Sequence, residues 1–282
     1  MKYMARKALA AVFISAGIAT AAFAGNITVK GSDTMVILGQ KWAETYMKSH
    51  PGTTVQVTGG GSGTGVAALL NGTTDICNSS RPMKPAETAD FVKKFKTRPH
   101  EYKMCMDGLS VYVHESNPLK QLSLPRLEAI FTGKINNWKD VGGPDAVISL
   151  YGRENSSGTY EFFKEHVLQK KDFAAATKTM PGTAAVIQGV AKDPNAIGYG
   201  GIAYGAGVKH LNVSKTDGGE AVEPTEENVL SGKYPIFRYL FNYIAPATDT
   251  GAVAEYITWC VSDEGQSVVK DVGYFPLPKN LR

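Results

Sequence analysis

Apolar and polar positions follow two alternating periods along this chain. Residues 26–30 alternate and include β-branched side chains, Gly31-Ser32-Asp33-Thr34 interrupts them, and Met35, Leu38, Trp42 and Tyr46 then recur at helical spacing until Pro51. That order predicts strand, loop, helix. The next segment has the same order: a strand over 53–58, the loop Gly59-Gly60-Gly61-Ser62-Gly63, and a short helix over 64–70 with Gly72 just past its end. A third strand begins at 74–77 and ends in Asn78-Ser79-Ser80-Arg81-Pro82.

Residues 104–113 read as a long apolar strand broken by Asp107-Gly108, a place for the chain to leave one domain and enter another. A helix is expected over 124–131, with Ser123 as its cap and Pro125 in the first turn. A strand over 147–151, a polar loop over 153–158 and a helix over 159–168 burying Tyr160, Phe163 and Val167 come next. Then follow a helix over 183–191 and a short strand around 197–199, while 212–228 is the longest polar, loop-like stretch. The aromatic-rich strand over 235–244 returns the chain to the first domain. Two helices close the sequence, one burying Val253, Tyr256, Ile257 and Cys260, the other Val268 and Val272. Strands alternating with helices imply a mostly parallel sheet covered on both faces.

The N-terminus changes the picture of where this domain pair works. Lys2, Arg6 and Lys7 precede an uncharged run over 8–24 that closes on Ala22-Phe23-Ala24, the small-x-small pattern of a signal peptide. The run is shorter than the ~20 apolar residues of a membrane span and rich in Ala, Gly and Ser rather than Leu. Cleavage after Ala24 is therefore expected, and no Cys follows to carry a lipid. Removing 24 of the 282 residues leaves 258 and takes the formal charge from +4 to +1, because the leader holds three cations and no acid. So small a charge gives no reason to propose nucleic acid as a partner. Cys77, Cys105 and Cys260 sit among apolar neighbours and read as buried small hydrophobes, the alternative being one disulfide and one free thiol. The five histidines show no i,i+4 pair and no Cys-x-x-Cys stands near them, so neither a metal nor another cofactor is expected.

Three loops share one design, with Gly, Ser and Thr between a strand end and a helix start: Ser32-Asp33-Thr34, Gly61-Ser62-Gly63 and Ser156-Ser157-Gly158-Thr159. Helix starts leave backbone N–H groups unpaired and carry partial positive charge, and hydroxyls add donors. Arg153 supplies a charged planar fork suited to two oxygens of one anion. Ser79-Ser80-Arg81 is a fourth strand end with hydroxyls and a cation, the alternative being an arginine in a salt bridge near a turn. Other motifs fail. Gly60-Gly61-Ser62-Gly63-Thr64 lacks the final Gly of a hydrolase elbow, Val66 stands where a P-loop needs Lys, and Gly63 to Ala68 fits only the loose dinucleotide pattern.

Gly31-Ser32-Asp33-Thr34-Met35, Gly60-Gly61-Ser62-Gly63-Thr64-Gly65, Asp75-Ile76-Cys77-Asn78-Ser79-Ser80-Arg81-Pro82, Ile130-Phe131-Thr132-Gly133-Lys134-Ile135-Asn136-Asn137-Trp138 and Arg153-Glu154-Asn155-Ser156-Ser157-Gly158-Thr159 together resemble the phosphate-binding proteins of ABC-type phosphate transporters. The resemblance spans nearly the whole mature chain. It implies an α/β, two-domain periplasmic-binding-protein fold of type II with two hinge crossings. The domain limits are expected at 25–106 with 238–282, and at 107–237. It also implies a monomer in the periplasm, without catalysis, that gives inorganic phosphate to membrane permease subunits. In such proteins phosphate is held by residues matching Thr34, Met35, Ser62, Arg153, Ser157, Gly158 and Thr159, to which the fourth strand end adds Ser80 and Arg81. Longer members place a proton-accepting Asp where this chain has Ser80, which leaves Asp33 and Glu154 as candidate acceptors. A second departure is Asn155, where longer members pair an Asp with the arginine. Rival readings are a receptor for sulfate or molybdate, a phosphate-ester hydrolase using Ser62 or Ser157, and a sensor without a transporter.

Overall fold

A computed structural model describes residues 25–282. The expected leader and its cleavage site lie outside the described residues. The strands are β1 (Asn26–Gly31), β2 (Thr54–Thr58), β3 (Ile76–Ser79), β4 (His100–Val113), β5 (Gln121–Ser123), β6 (Ser149–Arg153), β7 (Lys178–Met180), β8 (Ala196–Gly201), β9 (Lys209–Ser214) and β10 (Phe237–Ile244). The helices are α1 (Val36–Ser49), α2 (Ser62–Asn71), α3 (Pro85–Phe95), α4 (Leu124–Phe131), α5 (Gly158–His166), α6 (Thr183–Lys192), α7 (Glu226–Leu230), α8 (Gly251–Val261) and α9 (Asp263–Val272).

Strand order is β2-β1-β3-β10-β4-β8-β6-β7, with β9 on β4 and β5 on β9. Within each half the pairing is largely parallel, β1 with β2 and β3, and β6 with β7 and β8. The antiparallel contacts belong to β4 and β10, the two long strands that join the halves. β4 pairs with β10 as far as Gly108 and with β8 from Leu109 onward. The break expected at Asp107-Gly108 is therefore corrected: the strand runs unbroken, and only its partner changes there.

Apolar packing follows the same division. Ile27, Leu38, Trp42, Ile76, Leu240 and Ile257 share one core, and Leu109, Phe131, Trp138, Phe163, Tyr199 and Leu211 another. The changeover falls between Cys105 and Met106 in β4 and between Tyr239 and Leu240 in β10. Indole N–H groups lock helices onto each half: Trp42 donates to Gly265 O at 2.7 Å and Trp138 to Asn195 O at 3.0 Å. Burial of an aromatic body whose polar tip finds a partner makes these anchors favourable.

Five elements escaped the sequence pattern: α3 buries only Phe91 and so shows almost no apolar stripe, β5, β7 and α7 are three to five residues long, and β9 overlaps the start of the polar stretch. α5 buries Phe163, with Val167 buried just past its end, as expected, while Phe162 rather than the half-exposed Tyr160 completes the face. No described helix is long and apolar enough to cross a membrane.

Cys77, Cys105 and Cys260 are free and buried, and burial raises all three thiols above their ordinary value. Since the thiolate is the reactive form, native protein is expected to resist a thiol reagent such as Ellman's. Denatured protein should titrate all three. Fast modification of the native state, or a shortfall in the denatured count without reductant, would contradict this burial.

Candidate functional site: a hydroxyl cluster between the two halves

Each of the expected loops arrives at the join between the halves, and glycines set how closely. Gly31 takes φ 145°, and a Cβ there would overlap Asn78 O, so β1 and β3 end side by side. Ser32 N donates to Asn78 O at 2.9 Å, which turns Asp33-Thr34-Met35 into a single 3-10 turn ahead of α1. Gly61, at φ 92°, leaves no room for a Cβ against Ser156 O, and Gly63 N donates to that same oxygen at 2.9 Å. A main-chain bond thus closes the first half onto the second.

The hydroxyls of Thr34, Ser62, Ser80 and Thr159 meet behind this contact. Thr34 Oγ1 and Thr159 Oγ1 are 2.8 Å apart, Ser62 Oγ and Ser80 Oγ 3.3 Å, and Ser80 Oγ and Thr159 Oγ1 3.5 Å. All four residues are at most 1% exposed, and Ser157 lies equally deep. Ser80 N donates to Ser62 Oγ at 3.0 Å, and Ser157 Oγ caps α5 by accepting from Tyr160 N at 3.2 Å. α2 begins at Ser62 and α5 at Gly158, so two helix N-termini, the positive ends of their dipoles, lie at the cluster. Hydroxyl and N–H donors held out of water need acceptors, and a tetrahedral oxyanion offers several at once.

Two arginines flank the hydroxyls. Arg153, 3% exposed, donates from Nη1 to Thr183 Oγ1 at 2.9 Å and from Nη2 to Asp33 Oδ2 at 2.7 Å. Glu154 accepts from Arg153 Nε at 3.0 Å and from its Nη2 at 2.7 Å. Burial alone would lower the guanidinium's pKa, but Glu154 and Asp33 outweigh it and raise the value. Glu154 is also drawn toward a higher pKa by burial, and Arg153 prevails and holds it below its ordinary value. Both candidate proton acceptors are thus engaged with Arg153, and Asp33 Oδ1 additionally accepts from Gly60 N at 2.9 Å. Tyr204, whose hydroxyl burial pushes up to about 12, donates to Asp33 O at 2.7 Å.

The second arginine at the cluster is Arg238, which sequence reasoning missed. Its Nη2 donates to Thr159 Oγ1 at 3.0 Å, its Nη1 to Ser80 O at 3.0 Å, and Nε and Nη2 grip Asp107 Oδ2 at 3.0 and 2.9 Å. A signal existed: the apolar runs over 104–113 and 235–244 each hold a single charged residue, Asp107 in one and Arg238 in the other. Arg81, by contrast, is taken up by Glu87 through Nη1 at 2.8 Å and Nη2 at 2.7 Å, and also donates to Pro82 O at 2.9 Å. Glu87 accepts from Lys84 N as well, at 2.8 Å, so the arginine serves the start of α3. Met35 N closes its own turn on Ser32 O at 3.0 Å. Among the described residues no group of three metal-ligating side chains converges. The partners of Ser62 Oγ are Ser80 N and Ser80 Oγ, neither of them a base.

A pair of largely parallel α/β halves joined by two long strands, with a buried cluster of hydroxyls and arginines between them, defines a substrate-binding protein of the periplasmic-binding type. Residues 16–264 match the model of the PBP superfamily domain. The phosphate-binding protein PstS of Pseudomonas aeruginosa is 36% identical, over 91% of this chain and 84% of its own. PstS of Bacillus subtilis is 34% identical, over 90% of this chain and 81% of its own. A solved structure of a phosphate ABC transporter substrate-binding protein with bound phosphate, from Clostridium perfringens, superposes with a TM-score of 0.83 at 28% identity. It covers 90% of this chain and all of its own. The chain belongs to the PBP superfamily and, within it, to the PstS family of phosphate-binding proteins.

Proposed function

We propose that the protein is an exported receptor that closes its two domains on one inorganic phosphate ion and presents it to the permease subunits of an ABC-type importer. The observation that carries this reading is the convergence of four buried hydroxyls, from both halves, on two helix N-termini beside arginines. The names of the relatives and the bound phosphate of the Clostridium perfringens protein support the choice of anion. Thr34, Met35, Ser62, Ser80, Arg153, Ser157, Gly158 and Thr159 form the proposed contact set. The proposed domain limits are 25–106 with 238–282, and 107–237, within two residues of the partner change after Gly108 in β4. Asp33 is the proposed proton acceptor, because its oxygens keep lone pairs beyond those used by Arg153 and Gly60.

Ligand contacts from both domains stabilise the closed form, which is the form a permease can distinguish. Titration calorimetry of the phosphate-stripped mature protein tests the reading. Phosphate should bind at least about a hundredfold more tightly than sulfate, a gap of ~2.8 kcal/mol. Equal affinities, or a preference for sulfate or molybdate, would reassign the ligand. The site also lacks a base on its serines, so a chromogenic phosphate ester should release nothing above buffer. Turnover lost on Ser62→Ala or Ser157→Ala would make the protein a hydrolase instead.

A further inference from the structure

We infer that Arg238, held by Asp107 where both connecting strands pass between the halves, is the second anion-binding cation of this site and ties ligand capture to the hinge. The inference rests on the reading of the cluster as an oxyanion receptor. It gives Arg238 the role that Arg81 would hold if its guanidinium were not paired with Glu87.

Arg238 and Asp107 face each other in register on antiparallel β10 and β4, one residue before β4 exchanges β10 for β8. They are 4% and 0% exposed, in a stretch of sheet that is otherwise apolar. A buried ion pair in such a place gains little over apolar packing, so its retention calls for a purpose other than stability. The guanidinium supplies that purpose through its reach. It touches the first half at Ser80 O and the second half twice, at Thr159 Oγ1 and across the ring of Phe162, whose centroid lies 5.3 Å from Cζ. Thr159 and Phe162 both belong to the first turns of α5, the helix whose N-terminus faces the cluster.

Donor counting identifies what is left for a ligand. A guanidinium has five N–H groups in a rigid fork. Nε and one Nη2 hydrogen go to Asp107, one Nη1 hydrogen to Ser80 O, and the second Nη2 hydrogen to Thr159 Oγ1. One Nη1 hydrogen remains, and the bond to Thr159 is the exchangeable one, since a charged oxygen is a better acceptor than a hydroxyl. An anion seated among the hydroxyls therefore takes its oxygen between Thr159 and Arg238. That contact draws α5 toward the connecting strands and so acts on the angle between the halves.

The test is titration calorimetry of the phosphate-stripped mature protein with phosphate, arsenate, sulfate and molybdate in turn. Four proteins are compared: wild type, Arg238→Lys, the paired Arg238→Met with Asp107→Leu, and Arg81→Met. The paired change removes both charges, so no buried carboxylate is left alone, and melting without ligand reports whether it folds. Arg238→Lys keeps the charge but loses the fork. Binding of the preferred anion should weaken at least about a hundredfold in the paired variant and about tenfold in Arg238→Lys, while Arg81→Met stays within about threefold. X-ray scattering should show less ligand-induced compaction in the paired variant at saturation. Wild-type affinity in the folded paired variant overturns the inference, as does wild-type affinity in Arg238→Lys should the paired variant not fold. A loss in Arg81→Met as large as that in the Arg238 variants also overturns it. A wild type that prefers sulfate or molybdate sinks the phosphate reading alone, and the variant comparison is then made with that anion. A wild type that binds none of the four sinks both.

Discussion

Gly158→Ala is expected to abolish tight oxyanion binding while leaving the fold as stable as before. Gly158 opens α5 inside the closed cleft, and its position has no room for one more carbon. A Cβ there would overlap Ser62 Oγ and lie 2.7 Å from Ser80 Oγ and 2.9 Å from Ser62 Cβ, all from the opposite half. Overpacking a rigid contact costs ~1–3 kcal/mol, and here it also displaces two donors, so an affinity loss of at least about a hundredfold follows. The backbone at Gly158 is helical, and alanine is the better helix former, so the ligand-free protein should melt no lower than wild type. Calorimetry and a ligand-free melt read the two effects separately. Affinity within about threefold of wild type would mean that the halves do not close at this contact.

The second large effect belongs to Arg153. Arg153→Met leaves Asp33 and Glu154 facing each other without the cation between them, and removing one partner of a buried pair costs ~3–5 kcal/mol. The carboxylates keep 17% and 27% of their side-chain surface, which places the cost near the lower end of that range. Phosphate and sulfate should both weaken about a hundredfold or more, since this charge does not depend on a ligand proton. Asp33→Asn should act differently and narrow the gap between the two anions, because an amide can donate to sulfate. An unchanged gap would turn attention to Glu154. The pH dependence has a definite sign. Arg153 holds the Glu154 carboxyl below its ordinary value, so its contribution is complete above the unfolded value of ~4.3 and is lost as pH falls through the lower folded one. Wild-type melting temperature should therefore fall on acidification through that window more steeply than that of Glu154→Gln. Parallel curves for the two proteins would show that the pair contributes nothing to the folded state.

Much of this molecule was legible in local pattern. The strand-loop-helix order around Thr34 and Ser62, the capped start of α4 at Ser123, and the buried positions Val253, Tyr256, Ile257 and Cys260 all follow from periodicity and capping chemistry. Those signals arise within a few residues of one another, where the chain's own spacing is the relevant distance. α3 was illegible for the same reason in reverse, since a helix burying one side chain leaves no period to read.

What the sequence alone determined is therefore most of the longer elements, and the loops that carry donors. Their chemistry is intrinsic: a hydroxyl or an open helix N-terminus attracts anions wherever it is placed. Which of those groups meet was decided only by the tertiary structure. Arg81 and Arg238 are equal as sequence, both cations near strand ends or among apolar residues. Their fates differ because Glu87 lies six residues from Arg81, while Asp107 is 131 residues from Arg238 and reaches it only across paired strands. Likewise Asp33 and Arg153 lie 120 residues apart, and their 2.7 Å contact is made only where the two halves meet. Charge pairing and burial depend on distances in space, and only the packed sheet sets those distances.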